Sequence, residues 1–195
     1  MALWHAIAVG TSLLLSVVPP PSEPGAEAKT YKADPVHSSV LFRIKHLDVS
    51  YFHGRFNGVA GTFVFDDENP SAASLDIQIK VEDIDTNNAD RDKHLKSPDF
   101  FDAEKYPLVT FKSRSLRKAG DHSYEVTGDL TLHGVIKPLT VKLERVGSGK
   151  DPWGGYRTGF ETVFTIKRSD FGMTNMIGPV GDEVRLTVAI EGVRQ

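Results

Sequence analysis

The sequence contains no cysteine. That excludes disulfide staples, thiolate metal sites and a cysteine-linked lipid anchor on this chain. Charge of one sign is missing too: 23 basic residues stand against 26 acidic ones, for a formal net charge of −3. No basic patch points to nucleic acid as a partner. Enzyme signatures are lacking, with no nucleophile elbow, no P-loop and no His-Glu-x-x-His, so the reading is of a protein that is not an enzyme. His37, His94 and His133 are a conceivable ligand trio, but their spacing matches no metal motif, and no metal or other cofactor is expected. The one long apolar run, Ala6 to Val18, is too short to span a bilayer.

That run is uncharged and the right length for the core of a signal peptide. Pro19-Pro20-Pro21 ends any helix there, and Ala26-Glu27-Ala28 offers small residues at both positions of an A-x-A cleavage site. Residues 1–28 therefore read as a signal peptide, with a mature start near Lys29 and a periplasmic or secreted destination. Met1 to His5 carries no Lys or Arg, so an uncleaved anchor or an unstructured tail is the alternative. Residues 29–195 are one domain's worth of chain. A chain of that size buries roughly 70% of its unfolded surface and needs no staples. Export without disulfides fits a bacterial periplasm better than a disulfide-dense extracellular module.

What the sequence does contain is period-two alternation. Leu75, Ile77, Ile79 and Val81 face one way while Asp76, Gln78, Lys80 and Glu82 face the other, the pattern of a strand with one wet face. Val40/Phe42/Ile44, Val59/Gly61/Phe63/Phe65, Val109/Phe111, Val126/Gly128/Leu130/Leu132, Leu139/Val141/Leu143, Phe160/Thr162/Phe164/Ile166 and Val184/Leu186/Val188/Ile190 repeat it. About eight strands result, joined by short turns, so neighbours should pair antiparallel as a meander. The lengths of Arg55–Asp66, Ser74–Ile84 and Tyr156–Lys167 favour a barrel over a sandwich. The fold class is all-β: one antiparallel barrel, with two short helices between Asp85 and Tyr106 across one mouth. Such a barrel is either filled by side chains or holds one slender ligand. Gly61, Gly128 and Thr162 would leave space among the inward Phe residues, but pattern alone leaves tunnel and packed core open.

Four places carry polar groups with two readings each. His37, in Asp34-Pro35-Val36-His37-Ser38, either reaches a ligand's polar end or completes a capped turn. Arg91, Asp92 and His94 lie within four residues, with Arg91 sharing a helical face with His94 or Leu95 and with Asp90 or Asp92 as cap. They form either a head-group cluster or a self-paired surface turn. His133-Gly134 ends a hairpin, where a histidine is usually structural. Arg168 opens the Gly172–Gly181 loop and pairs with Asp170 or with a ligand head. Met173, Met176, Ile177 and Pro179 would make that loop either a lid over a lipid tail or a segment packed on the rim.

Three of these segments together, Arg91 to Asp102, Asp34 to Ser38 and Leu130-Thr131-Leu132-His133-Gly134, resemble the signature of the YceI-like family of small secreted bacterial proteins. The resemblance runs from about Thr30 to Gln195. It implies a lipocalin-like barrel whose interior binds an extended amphiphile: a polyisoprenoid lipid, such as a prenyl diphosphate, or a quinone. On that reading the head group meets His37, Arg91, Asp92, His94, His133 and Arg168. The tail meets Val40, Phe42, Ile44, Phe63, Phe65, Phe100, Phe101, Phe111, Leu130, Phe160, Phe164, Phe171 and Met176. A transient membrane contact and either a monomer or a homodimer accompany it.

Overall fold

The computed structural model describes residues 28–195, so the segment read as a signal peptide lies outside the described residues apart from Ala28. Eleven strands are present: β1 Lys29–Ala33, β2 Ser39–His46, β3 Ser50–Phe56, β4 Ala60–Phe65, β5 Ser74–Lys80, β6 Ile84–Asp85, β7 Leu108–Lys118, β8 Ser123–Leu132, β9 Val135–Lys150, β10 Tyr156–Lys167 and β11 Val180–Arg194. Hydrogen bonding runs β1-β4-β5-β7-β8-β9-β10-β11, and β1 pairs again with β11, closing an antiparallel barrel of eight strands. Closure leaves no open edge on that ring. The long β11 divides its outer edge: residues 192–194 pair with β1, while Val184 to Ala189 pair with β2. Strand β3 then pairs with β2, and Arg55 and Phe56 of β3 pair with β6.

The meander holds from β7 to β11, with short turns as far as β10 and a longer loop, residues 168–179, between β10 and β11. At His133-Gly134 both residues have positive φ, 51° and 72°, which glycine tolerates and which suits the twist of a two-residue hairpin. Two expectations for strand length fail. Arg55–Asp66 is not one strand but the end of β3 and all of β4, broken at Gly58, whose φ is 71°. Ser74–Ile84 is interrupted by a 3-10 turn at Val81–Asp83, which lets β5 bend across to β3 as β6.

Only one helix, α1 Ala89–Lys96, stands at the mouth instead of two. After Pro98 the chain folds back on the helix end: Phe101 N donates to Leu95 O at 3.0 Å and Ala103 N to Lys96 O at 2.9 Å. Those bonds satisfy the terminal carbonyls that a second helix would have left open. The cap is Asn88, whose side chain accepts from Arg91 N at 2.9 Å, and neither Asp90 nor Asp92.

The barrel core is densest at the end away from α1. Tyr31 stacks on Phe63, Phe63 and Phe65 pack on Phe160, and Phe65 meets Tyr124 edge-on. These buried rings plug that end. Tyr124 Oη donates to Asp67 at 3.2 Å and Arg145 clamps the same carboxylate, so the plug is tied at its rim. Among the described residues no helix is long and apolar enough to cross a membrane.

Candidate functional site: an apolar lumen with a polar mouth

Above the plug the barrel is hollow. An inner chamber of about 130 Å³ is lined by Val40, Phe63, Phe111, Phe160 and their neighbours. An outer chamber of about 410 Å³ continues it toward α1, lined by Phe42, Ile44, Phe52, Phe56, Phe100 and Phe101 among others. Ile79, Val109, Leu130, Phe164 and Leu186 border both chambers and form the neck between them. Together the chambers lie within the range of about 300–1,000 Å³ typical of small-molecule sites. They form a narrow, apolar course from the mouth down to the aromatic plug.

Neither Gly61 nor Gly128 leaves the space expected of it: at Gly61, whose φ is 125°, a Cβ would collide with the Asp76 carbonyl of the paired strand. A Cβ at Gly128 would fall 2.6 Å from the Phe111 ring, and Cβ atoms at Gly54 and Gly192 would collide with the rings of Phe42 and Phe63. The three glycines do not leave voids. They let large rings lie close against the wall, which keeps the middle of the lumen open. Thr162 lines the inner chamber with its hydroxyl already donated to Lys142 O at 2.7 Å.

At the mouth the outer chamber meets Lys45, His46 and Ser50 from β2 and β3, Arg91, His94 and Leu95 from α1, and Arg168, Met173 and Met176 from the loop between β10 and β11. Arg91 lies over the Phe52 ring, 4.1 Å from its centroid. Its Nε donates to Thr86 Oγ1 at 2.9 Å and Nη2 to Thr86 O at 2.7 Å. Both partners are neutral. Among the described residues Arg91 makes no direct ion pair, Asp92 reaching it only through the shared Thr86 hydroxyl, and Nη1 makes no hydrogen bond. His94 Nε2 meets Asp99 Oδ2 at 2.9 Å, and its ring packs edge-on against Phe100. The position of α1 is fixed by Asp92, whose carboxylate accepts from the Thr86 N–H at 2.9 Å and from its hydroxyl.

The remaining sequence candidates fall elsewhere. His37 stands on the turn entering β2, whereas the lumen opens at the other end of that strand. Its Nδ1 meets Asp34 Oδ2 at 2.9 Å. Arg157 donates to Asp34 at 2.7 Å, Glu191 at 2.6 Å and Asp151 at 2.9 Å. Asp34, His37 and Glu191 are near enough to share a cation, with ligand atoms within 4.8 Å, and the guanidinium already supplies one. The hydrogen bonds from His37 and Arg157 hold the Asp34 carboxyl well below the usual carboxylate range. His133 is structural: Nδ1 meets Phe171 O at 3.0 Å and the ring packs on Tyr106, outside both chambers. Asp92 belongs to the helix anchor and not to the lining.

Arg168 does line the outer chamber, but its guanidinium, only 4% exposed, is spent on the loop. It donates to the carbonyls of Met173, Asn175, Val180 and Gly181 at 2.7–3.0 Å, and neither Asp170 nor open space receives it. Burial lowers its pKa from the ordinary guanidinium value. Ser169 and Asp182 close the loop's base, with Ser169 Oγ donating at 2.8 Å. Two aromatic candidates are core instead of lining: Phe65 in the plug, and Phe171 packed with Leu130, Leu132 and Met173 beneath the loop. Val40, Phe42, Ile44, Phe63, Phe100, Phe101, Phe111, Leu130, Phe160, Phe164 and Met176 all border a chamber. Sequence reasoning missed Phe52 and Phe56, although Phe52/Gly54/Phe56 alternates as the other strands do.

A family model described as the YceI-like domain matches residues 31–192. The chain belongs to the YceI-like family. It is 48% identical to a UPF0312 protein of Pseudomonas aeruginosa over 172 residues, 87% of this chain and 90% of that protein. It is 47% identical to the YceI protein of Escherichia coli over 172 residues, with the same shares covered. Among solved structures, the YceI-like barrel superposes on Burkholderia cenocepacia BcnA with a TM-score of 0.74 and 28% identity, covering 82% of this chain and 98% of that one. The Campylobacter jejuni YCEI protein gives 0.70 and 33%, covering 77% and 90%. A polyisoprenoid binding domain from Saccharophagus degradans shares the fold, with a TM-score of 0.67 at 15% identity over 85% of this chain and 98% of that one.

Proposed function

We propose that this YceI-like protein is a carrier, not a catalyst, that sequesters a long-chain amphiphile with its tail in the barrel and its head at Arg91 and His94. The observation that carries this is the pair of apolar chambers that share a wall and run from the mouth to the aromatic plug. Each buried methylene contributes about 0.8 kcal/mol, so an extended hydrocarbon tail drives its own sequestration until its ordering entropy limits the gain. A branched, partly rigid prenyl tail loses less entropy than a saturated one of equal length. The polyisoprenoid binding domain of Saccharophagus degradans, with the same fold, supports a prenyl tail here. The uncharged run at Ala6 to Val18 supports export, and with it a periplasmic or secreted carrier.

The head group is a diphosphate or a quinone ring. Arg91 Nη1, with no hydrogen bond among the described residues, supports an acceptor at the mouth, and either head supplies one. Native mass spectrometry of protein purified from its own host, followed by organic extraction, tests the reading. A non-covalent adduct that extracts as a prenyl lipid is the expected result. A homogeneous ligand-free mass, with no uptake of added prenyl lipid, would overturn it.

A further inference from the structure

The outer wall beside the mouth carries two arginines that face each other across neighbouring strands, with a histidine next in line. In the antiparallel register Arg185 of β11 stands opposite Arg43 of β2, and Arg43 stands opposite His53 of β3. Like charges facing each other across strands destabilise a sheet. Neither arginine forms an ion pair with a carboxylate among the described residues. Arg43 lies over the Tyr51 ring, 4.1 Å from its centroid, and its Nε is buried with no hydrogen-bond partner. Arg185 and His53 make no ion pair among the described residues. Of the nearby acids, Asp48 pairs with Lys45 at 2.8 Å, and Glu183, two residues along β11 from Arg185 on the same face, stands opposite Lys167 of β10.

Two residues beyond Lys45 the same wall ends in apolar side chains that face water. Leu47 is 57% exposed and Val49 84% exposed at the β2–β3 tip, and Ile177 is 44% exposed on the neighbouring loop. Leu47 N donates to Pro179 O at 2.7 Å, so the two tips form one rim. Leu47 and Asp48 both have positive φ, 53° and 57°, in a turn that favours Asn-Gly. A leucine there is costly twice, in backbone conformation and in exposure. Entry into an apolar medium relieves the second cost.

We infer that this face docks on an anionic phospholipid surface, with the Leu47–Val49 and Ile177 tips entering the interface and Arg43 and Arg185 meeting phosphate. The spacing fits. Four residues of strand separate Arg43 from Leu47, roughly 13 Å, which places the arginines at head-group level when the tips reach the acyl boundary. The rim also borders the lumen's opening, since Met176 and Tyr51 line the outer chamber. A tail could then pass between bilayer and barrel without crossing water. That purpose rests on the carrier reading, whereas the docking face itself does not.

Co-sedimentation with vesicles tests it. The wild-type protein binds vesicles of phosphatidylethanolamine and phosphatidylglycerol and binds phosphatidylcholine vesicles more weakly. Arg43→Gln with Arg185→Gln weakens binding to the anionic vesicles roughly ten- to thirty-fold, and Val49→Ser with Ile177→Ser weakens binding to both. None of these four residues borders a chamber, so the variants keep wild-type capacity for a prenyl lipid presented in detergent. Wild-type protein that stays in the supernatant, or variants that sediment like wild type, would overturn the proposal. So would a concentration-dependent dimer that only the rim variants abolish, since a second copy would then cover this face. Vesicle binding with no lipid uptake from any source would sink the carrier reading and leave the docking face standing.

Discussion

The Phe111 ring occupies the space that a side chain at Gly128 would need. A Cβ there would fall 2.6 Å from the ring and 2.5 Å from the Lys112 carbonyl oxygen. The glycine is what allows a phenylalanine to lie against the wall instead of across the lumen.

Gly128→Ala is therefore expected to cost about 1–3 kcal/mol, because one of the two neighbours is backbone and cannot swing away. The displaced Phe111 ring should also narrow the inner chamber. Urea unfolding reads the first effect and prenyl-lipid capacity the second. Phe111→Leu in the same chain should restore part of both.

The neck gives a test of tail length. Leu130→Phe adds volume where the two chambers meet, and should weaken a long prenyl tail by about tenfold or more. A tail short enough to end in the outer chamber should bind as before. Equal loss for both tails would show that the ligand does not thread the neck.

At the mouth, Arg91→Ala should weaken a diphosphate-headed ligand by roughly 1.5–3 kcal/mol and a neutral-headed one of equal tail much less. Arg91 also holds Thr86, so thermal unfolding of the unliganded variant has to be measured beside binding. Equal losses for both heads, matched by a lower melting temperature, would make Arg91 scaffold alone.

Arg168 should behave as scaffold. Replacing it with Met removes donors from four carbonyls at once, and Lys cannot reproduce the planar fork. A loss of about 3–5 kcal/mol is expected, since buried acceptors lose a charged donor. Hydrogen exchange should rise first in residues 172–181.

Asp34 ties the β1–β2 turn to β10 and β11, and its carboxyl titrates well below the usual range in the folded protein. Its contribution is fully present above the ordinary carboxylate range and is lost as pH falls through that range and below. Asp34→Asn should thus destabilise at neutral pH. The gap between variant and wild type should close in acid. Thermal unfolding across that interval checks it.

The alternation of apolar and polar residues told inward from outward along most strands, because that depends only on neighbours in sequence. Depth along the barrel axis depends on register and was not legible. Phe65 and Phe160 look alike in the sequence, yet Phe65 is plug and Phe160 borders the inner chamber. Phe56 falls inside a stretch, Arg55 to Asp66, whose sequence shows no break, whereas the chain leaves the strand at Gly58, where Asn57 N donates to Asp83 O 3.0 Å away. Arg168 and His133 were ambiguous for a similar reason. Their partners are main-chain oxygens, which leave no mark on side-chain composition.

Strand β11 is the last strand of the barrel in chain order, and it bonds to β10, β2 and β1. Until it arrives, all three present unpaired edges, and the sheet is an open curl. Synthesis from the N-terminus therefore delays closure until Arg194 has emerged, and the half-made chain is the species most exposed to edge-to-edge aggregation. A chaperone that shields strand edges would act on this protein before its lumen exists.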